Sequence, residues 1–163
     1  MKHNCFHLAS VVLLIVLLTC LLLLSSCGTE EQYIEPEFQP TVEHFLRLSH
    51  EANKNTAPFL NIREIVYKNL AYQQAEGLCL VMIRNSKIKA TNIKVSRRED
   101  RFVYVDTKWK GKANIVKYIL YHEMAHCTFN ADHSSDPRSL MYGQIHYEIG
   151  PEEMLANYLR DGL

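Results

Sequence analysis

The string His122-Glu123-Met124-Ala125-His126 places two imidazoles four residues apart with a carboxylate between them. On an α-helix, residues at that spacing are rotated by only about 40° and stacked one turn up. Both rings therefore project to one side and can grip a single cation. Zinc suits such a pair, being borderline-soft and content with nitrogen donors in a tetrahedron. Glu123 lies about 100° round the helix from His122, off the line of that grip but within reach of a water beside the metal. Zinc lowers the pKa of that water and polarises a carbonyl. The carboxylate can take the water's proton and hand it to a leaving amine. The pattern thus reads as metal-assisted hydrolysis, with His122 and His126 as ligands and Glu123 as general base.

A catalytic zinc site takes three protein ligands, and the next stretch offers two adjacent candidates, Asp132 and His133. Zinc sites of this kind draw most often on imidazole, so His133 is the expected third ligand. Asp132 is then free to hold the loop or to accept a hydrogen bond from a ligand imidazole.

The longer run His122-Glu123-Met124-Ala125-His126-Cys127-Thr128-Phe129-Asn130-Ala131-Asp132-His133 is followed by Ser139-Leu140-Met141-Tyr142. This pairing resembles the metzincin clan of zinc peptidases, in which an extended three-histidine motif precedes a methionine-containing turn. It is also similar to small bacterial lipoprotein peptidases whose motif runs His-Glu-x-x-His-Cys and reaches its third histidine one residue later than usual. The resemblance covers residues 112–142 closely and the upstream sheet loosely. It implies one catalytic zinc ion on His122, His126 and His133, Glu123 as the base, and Met141 as apolar support under the histidines, not a ligand. It also implies endopeptidase activity on a protein or peptide lying extended along an edge strand. The chain departs from the clan at Phe129, where a glycine is usual, and by one additional residue before His133. Asn130 can make the sharp left-handed exit that the glycine normally allows. Some members carry a tyrosine ligand two residues after the turn methionine; that position is Gly143 here, so Tyr142 is not assigned the role.

The elements that must position these residues are legible from periodicity. The strongest is a helix over 112–129, with Ile115, Val116, Ile119, Leu120, Met124 and Cys127 on one broad face. A first helix is predicted over 41–53, capped by Thr41 and exiting near Asn53. A last helix over 151–160 is opened by Pro151, Glu152 and Glu153. Strands are predicted over 62–70, 78–83, 88–95 and 102–105. The continuously apolar run 78–83 reads as a strand buried on both faces. The edge strand is assigned to 88–95, with 78–83 as the alternative. The fold class is α/β (α+β): a small metzincin-like domain with a mixed central sheet of about four strands, an active-site helix, a methionine turn and a C-terminal helix.

The chain opens with an address. Residues 1–27 hold Lys2, an apolar stretch over 8–24, and Leu24-Ser25-Ser26-Cys27, which resembles the bacterial lipobox. That resemblance implies export and a membrane anchor through lipid on Cys27; a retained transmembrane helix is the competing reading. Residues 28–40, with four glutamates and two prolines, read as an acidic tether, and 41–163 as the catalytic domain. Beyond the leader, 17 basic side chains face 18 acidic ones, which provides no electrostatic pull toward nucleic acid. A monomer is expected. Of five cysteines only Cys79 and Cys127 fall in the domain, and they read as two small buried apolar residues, with a single disulfide as the alternative. His44, His50 and His146 read as surface residues. Two rival functions remain: a zinc hydrolase whose third ligand is Glu148, Glu152 or Glu153, and a non-catalytic surface lipoprotein that keeps the fold as a binding module.

Overall fold

The structure, a computed structural model, describes residues 31–84, 98–145 and 149–161. The leader, the whole of the predicted edge strand 88–95 and the segment around His146 and Glu148 lie outside the described residues. The unit from Gln32 onward is a small α+β domain that, among the described residues, has three α-helices and a four-stranded mixed sheet.

The sheet holds β1 (Tyr33–Ile34), β2 (Ile62–Lys68), β3 (Gly77–Arg84) and β4 (Arg98–Asp106) in the order β1-β2-β4-β3. β1, β2 and β4 run parallel, and β3 is antiparallel to β4. The strand covered on both faces is β4, in the interior of the sheet, where Val103, Tyr104 and Val105 are all buried. The sequence assigned that burial to 78–83, but β3 is terminal among the described residues. Val81, Met82 and Ile83 on it are 43%, 43% and 53% exposed. A continuous apolar run has no period that separates a covered strand from an exposed one.

The predicted tether also differs. From Gln32 on it belongs to the fold. Tyr33 and Ile34 pair with Glu64 and Ile65, the Glu35 N–H donates to the Ile65 carbonyl at 2.9 Å, and Phe38 is buried. Average composition over 28–40 was polar, yet two apolar side chains, Ile34 and Phe38, and an open edge of β2 suffice to bind it.

Helix α1 (Gln39–Glu51) follows directly, carrying Pro40 in its first turn and burying Val42, Phe45 and Ser49. Helix α2 (Ala113–Phe129) packs on β3 and β4, and α1 and α3 (Pro151–Asp161) pack on α2. α2 is thus the central rod, buried well beyond a single face: Tyr118, Tyr121, His122 and Glu123 are buried along with Val116, Ile119, Leu120, Met124 and Cys127. Its C-terminal end is met by the buried Arg101 of β4, which donates to the Cys127 carbonyl, where a cation complements the helix dipole.

Cys79 of β3 and Cys127 of α2 form a disulfide, with Cα atoms 5.6 Å apart. They are not the separate buried thiols favoured from sequence. The two lie 48 residues apart, and only the packing of β3 on α2 brings them together. Closing a loop of that length stabilises a fold by roughly 4 kcal/mol in the chain-entropy account.

Candidate metal centre

α2 presents His122 and His126 from successive turns, as the four-residue spacing dictates. The helix ends at Asn130, which adopts the left-handed conformation (φ 52°, ψ 38°) and donates its N–H to the His126 carbonyl at 3.1 Å. The asparagine therefore makes the exit for which the clan uses glycine. Three residues later the chain has turned back far enough for His133 to face the helix.

The three imidazoles converge. His122 Nε2 lies 3.0 Å from His126 Nε2 and 3.3 Å from His133 Nε2, and the last two nitrogens are 3.2 Å apart. Two of the rings are locked from behind. His122 Nδ1 bonds the Leu140 carbonyl at 2.8 Å and His126 Nδ1 bonds the Ala131 carbonyl. A carbonyl can only accept, so each Nδ1 carries the proton and each Nε2 is left with a bare lone pair. Lone pairs aimed at one another at this distance repel unless a cation sits between them. Nitrogens on a tetrahedron with bonds of 2.0–2.1 Å are spaced about 3.3 Å apart, which matches the observed triangle. The trio can hold a single metal ion.

Electrostatics favours the same state. Burial pushes His122 down to about 4, against the opposing hydrogen bond to Leu140, and burial also lowers His126. Both rings are neutral at neutral pH, so a metal need not displace protons from them. Glu123 is not part of the triangle. It turns toward β3 and is 8% exposed. In the metal-free protein burial raises its pKa to about 8, while the nearby Cys79 backbone N–H works in the opposite direction.

A cleft of about 670 Å³ opens over these groups. The three histidines and Glu123 line it, with Leu78 and Val81 of β3 on one side and Ile145 on another.

The other sequence candidates lie elsewhere or play other parts. Asp132 is exposed and outside the converging group. Glu152 is paired with Lys117 on the far helix contact, which removes it as a ligand. His44 bonds the Tyr121 hydroxyl at 2.6 Å, and His50 is exposed. Met141 is buried in the Ser139–Tyr142 turn, which closes through a Tyr142 N–H bond to the Ser139 carbonyl at 3.1 Å. That turn reaches the metal centre through Leu140, whose carbonyl orients His122.

Sequence reasoning missed Tyr118. Its hydroxyl lies 3.1 Å from the carbonyls of both Tyr142 and Gln144, so it pins the segment that holds Leu140 against His122. The signal was present, since Tyr118 sits four residues before His122 and therefore on its face; the rings are 6.1 Å apart. Comparison with protein-family models, with curated proteins and with solved structures gives no match.

Proposed function

We propose that the domain is a zinc-dependent endopeptidase of metzincin-like type. The observation that carries this reading is the Nε2 triangle of His122, His126 and His133, with the Glu123 carboxylate in the same cleft. Three imidazoles with one side open suit zinc better than magnesium or calcium, which prefer oxygen. When bound there, zinc would polarise a scissile carbonyl and make water nucleophilic at neutral pH. Glu123 accepts the proton that the water loses as it attacks, and delivers it to the amine that leaves. The Leu140 and Ala131 carbonyls keep the ligand rings in one tautomer and orientation through the reaction.

The substrate is an extended peptide. β3 lines the cleft, has no partner on its outer edge among the described residues, and exposes Val81, Met82 and Ile83. An added strand satisfies such an edge by main-chain hydrogen bonds, and its side chains fall alternately into the cleft. Among the described residues the docking edge is therefore β3, the alternative weighed from sequence; 88–95 lies outside them.

The test is metal dependence. The protein stripped with a chelator loses hydrolysis of an unfolded protein substrate and regains it with one equivalent of zinc. Hydrolysis indifferent to chelation removes zinc from the reaction; a zinc-loaded protein that cuts nothing leaves the binding-module reading.

The same reading places the domain outside the cytoplasm, on a lipid anchor at Cys27. The disulfide supports it, because such bonds persist in oxidising compartments. Among the described residues no helix is long and apolar enough to cross a membrane. Cys27→Ser is expected to abolish incorporation of a labelled fatty acid and to leave the precursor uncut at that position. Label retained by the variant overturns the anchor.

A further inference from the structure

Gly77 is the first residue of β3, and its Cα faces α2 at a distance no side chain tolerates. A Cβ there would lie 2.7 Å from Glu123 Cγ and 2.8 Å from Glu123 Oε1, and would also strike Ile119 Cγ2. Real Cβ contacts are longer, so a methyl at this position must displace one of these groups. Two residues on, the Cys79 backbone N–H lies close enough to the same carboxylate to oppose the upward push of burial on its pKa. Cys79 is in turn bonded to Cys127, one helical turn beyond Glu123 on α2. The strand and the helix are thus joined covalently beside the carboxylate, with a gap in the strand at the point of closest approach.

We propose that Gly77 and the Cys79–Cys127 disulfide are positioning elements for Glu123: the glycine leaves the space the carboxylate occupies, and the disulfide holds the Cys79 amide against it. The proposal rests on the peptidase reading for its effect on turnover, but the geometry it asserts has a readout of its own. A carboxylate accepting from the Cys79 N–H draws that amide proton downfield. The same β3 edge that takes the substrate thereby aims the base at it.

The experiment uses the zinc-loaded domain and five variants: Gly77→Ala, Ile119→Ala, the two combined, Cys79→Ala/Cys127→Ala, and Glu123→Ala. Gly77→Ala is expected to lower kcat about 100-fold, the scale of a misplacement near 1 Å, with KM within about threefold and zinc still bound. Adding Ile119→Ala relieves the clash with Ile119 but not that with Glu123. It is therefore expected to restore thermal stability to that of Ile119→Ala alone and to leave kcat low. The residue 79 amide proton is expected to move upfield in Gly77→Ala and equally in Glu123→Ala. The variant lacking both cysteines is expected to lose about 10-fold in kcat and to show the same upfield movement.

Recovery of kcat in the combined variant, or a rise in KM in place of a fall in kcat, would make Gly77 a packing or docking residue and overturn the proposal. An unmoved amide proton overturns it as well. If Gly77→Ala does not fold, the amide shift and kcat of the variant lacking both cysteines decide, parent values for both sinking the idea. A parent that cuts nothing even with zinc, yet shows the amide shift and its loss in Glu123→Ala, fails the peptidase reading while the positioning stands. A parent whose hydrolysis needs Glu123 but not Gly77 does the reverse.

Discussion

Replacing Glu123 with Ala is expected to leave the zinc in place and to reduce kcat/KM by about 10³-fold, within the range that a positioned acid–base group contributes. That loss corresponds to about 4 kcal/mol of transition-state stabilisation. The two halves of the expectation have separate causes. Metal binding survives because the three Nε2 atoms that converge do not include a carboxylate oxygen. Turnover falls because, among the described residues, no other carboxylate lines the cleft close to the trio; Glu76, the other described acidic residue on its wall, is engaged by Lys108 at 2.7 Å and by the Trp109 indole N–H. Glu123→Gln separates charge from shape. Its amide keeps the shape and an oxygen that can accept a hydrogen bond while the proton acceptor is lost, and activity is expected to fall as far as in the alanine variant. Steady-state kinetics with metal analysis on the same samples measures both. Parent-level activity in Glu123→Ala would end the enzyme reading.

Truncation at His133 is expected to lower zinc affinity by several orders of magnitude, whereas Asp132→Ala costs about 10–100-fold at most, as changes in supporting residues do. His133 contributes one of three imidazole nitrogens, 3.3 Å and 3.2 Å from the other two. Removing it leaves two ligands on one helix and opens a second side to water. Asp132 is exposed, and its influence on the centre is a Coulombic one on His126, which it raises against the lowering by burial. Solvent screens such an exposed charge. Competition with a chelator of known affinity ranks the two variants. The reverse order would transfer the third ligand to Asp132, the residue that the usual spacing from His122 selects.

The pair His122 and His126 was legible in the sequence because helix geometry is local. Four residues make one turn wherever the helix lies, so identity and spacing alone set both rings on one side, and Glu123 off that line. The left-handed turn at Asn130 was legible for the same reason, since tolerance of positive φ belongs to the residue type. His133 could be ranked above Asp132 by donor chemistry, but its arrival at the triangle depends on the exit angle at Asn130 and on the Ser134–Met141 backbone bond that folds the loop back. The orienting carbonyls of Leu140 and Ala131 could not be named in advance, because every residue has one and only the fold selects which is near.

The sheet was decided by the tertiary structure. The run 78–83 is apolar throughout, and nothing in its own residues says whether it is covered by neighbours or left at the rim; strand order settles that, and strand order is a contact between distant parts of the chain. Tyr33 and Ile34 joined the sheet because β2 offered an open edge, a property of β2 and not of the polar segment they sit in. Cys79 and Cys127 became a disulfide because β3 packs on α2, and the same packing set an unremarked glycine at position 77 against Ile119 and the catalytic candidate Glu123. What one helical turn can specify, the sequence determined. What required two segments to meet was set by the burial of α2 between the sheet and the other helices, which no local pattern encodes.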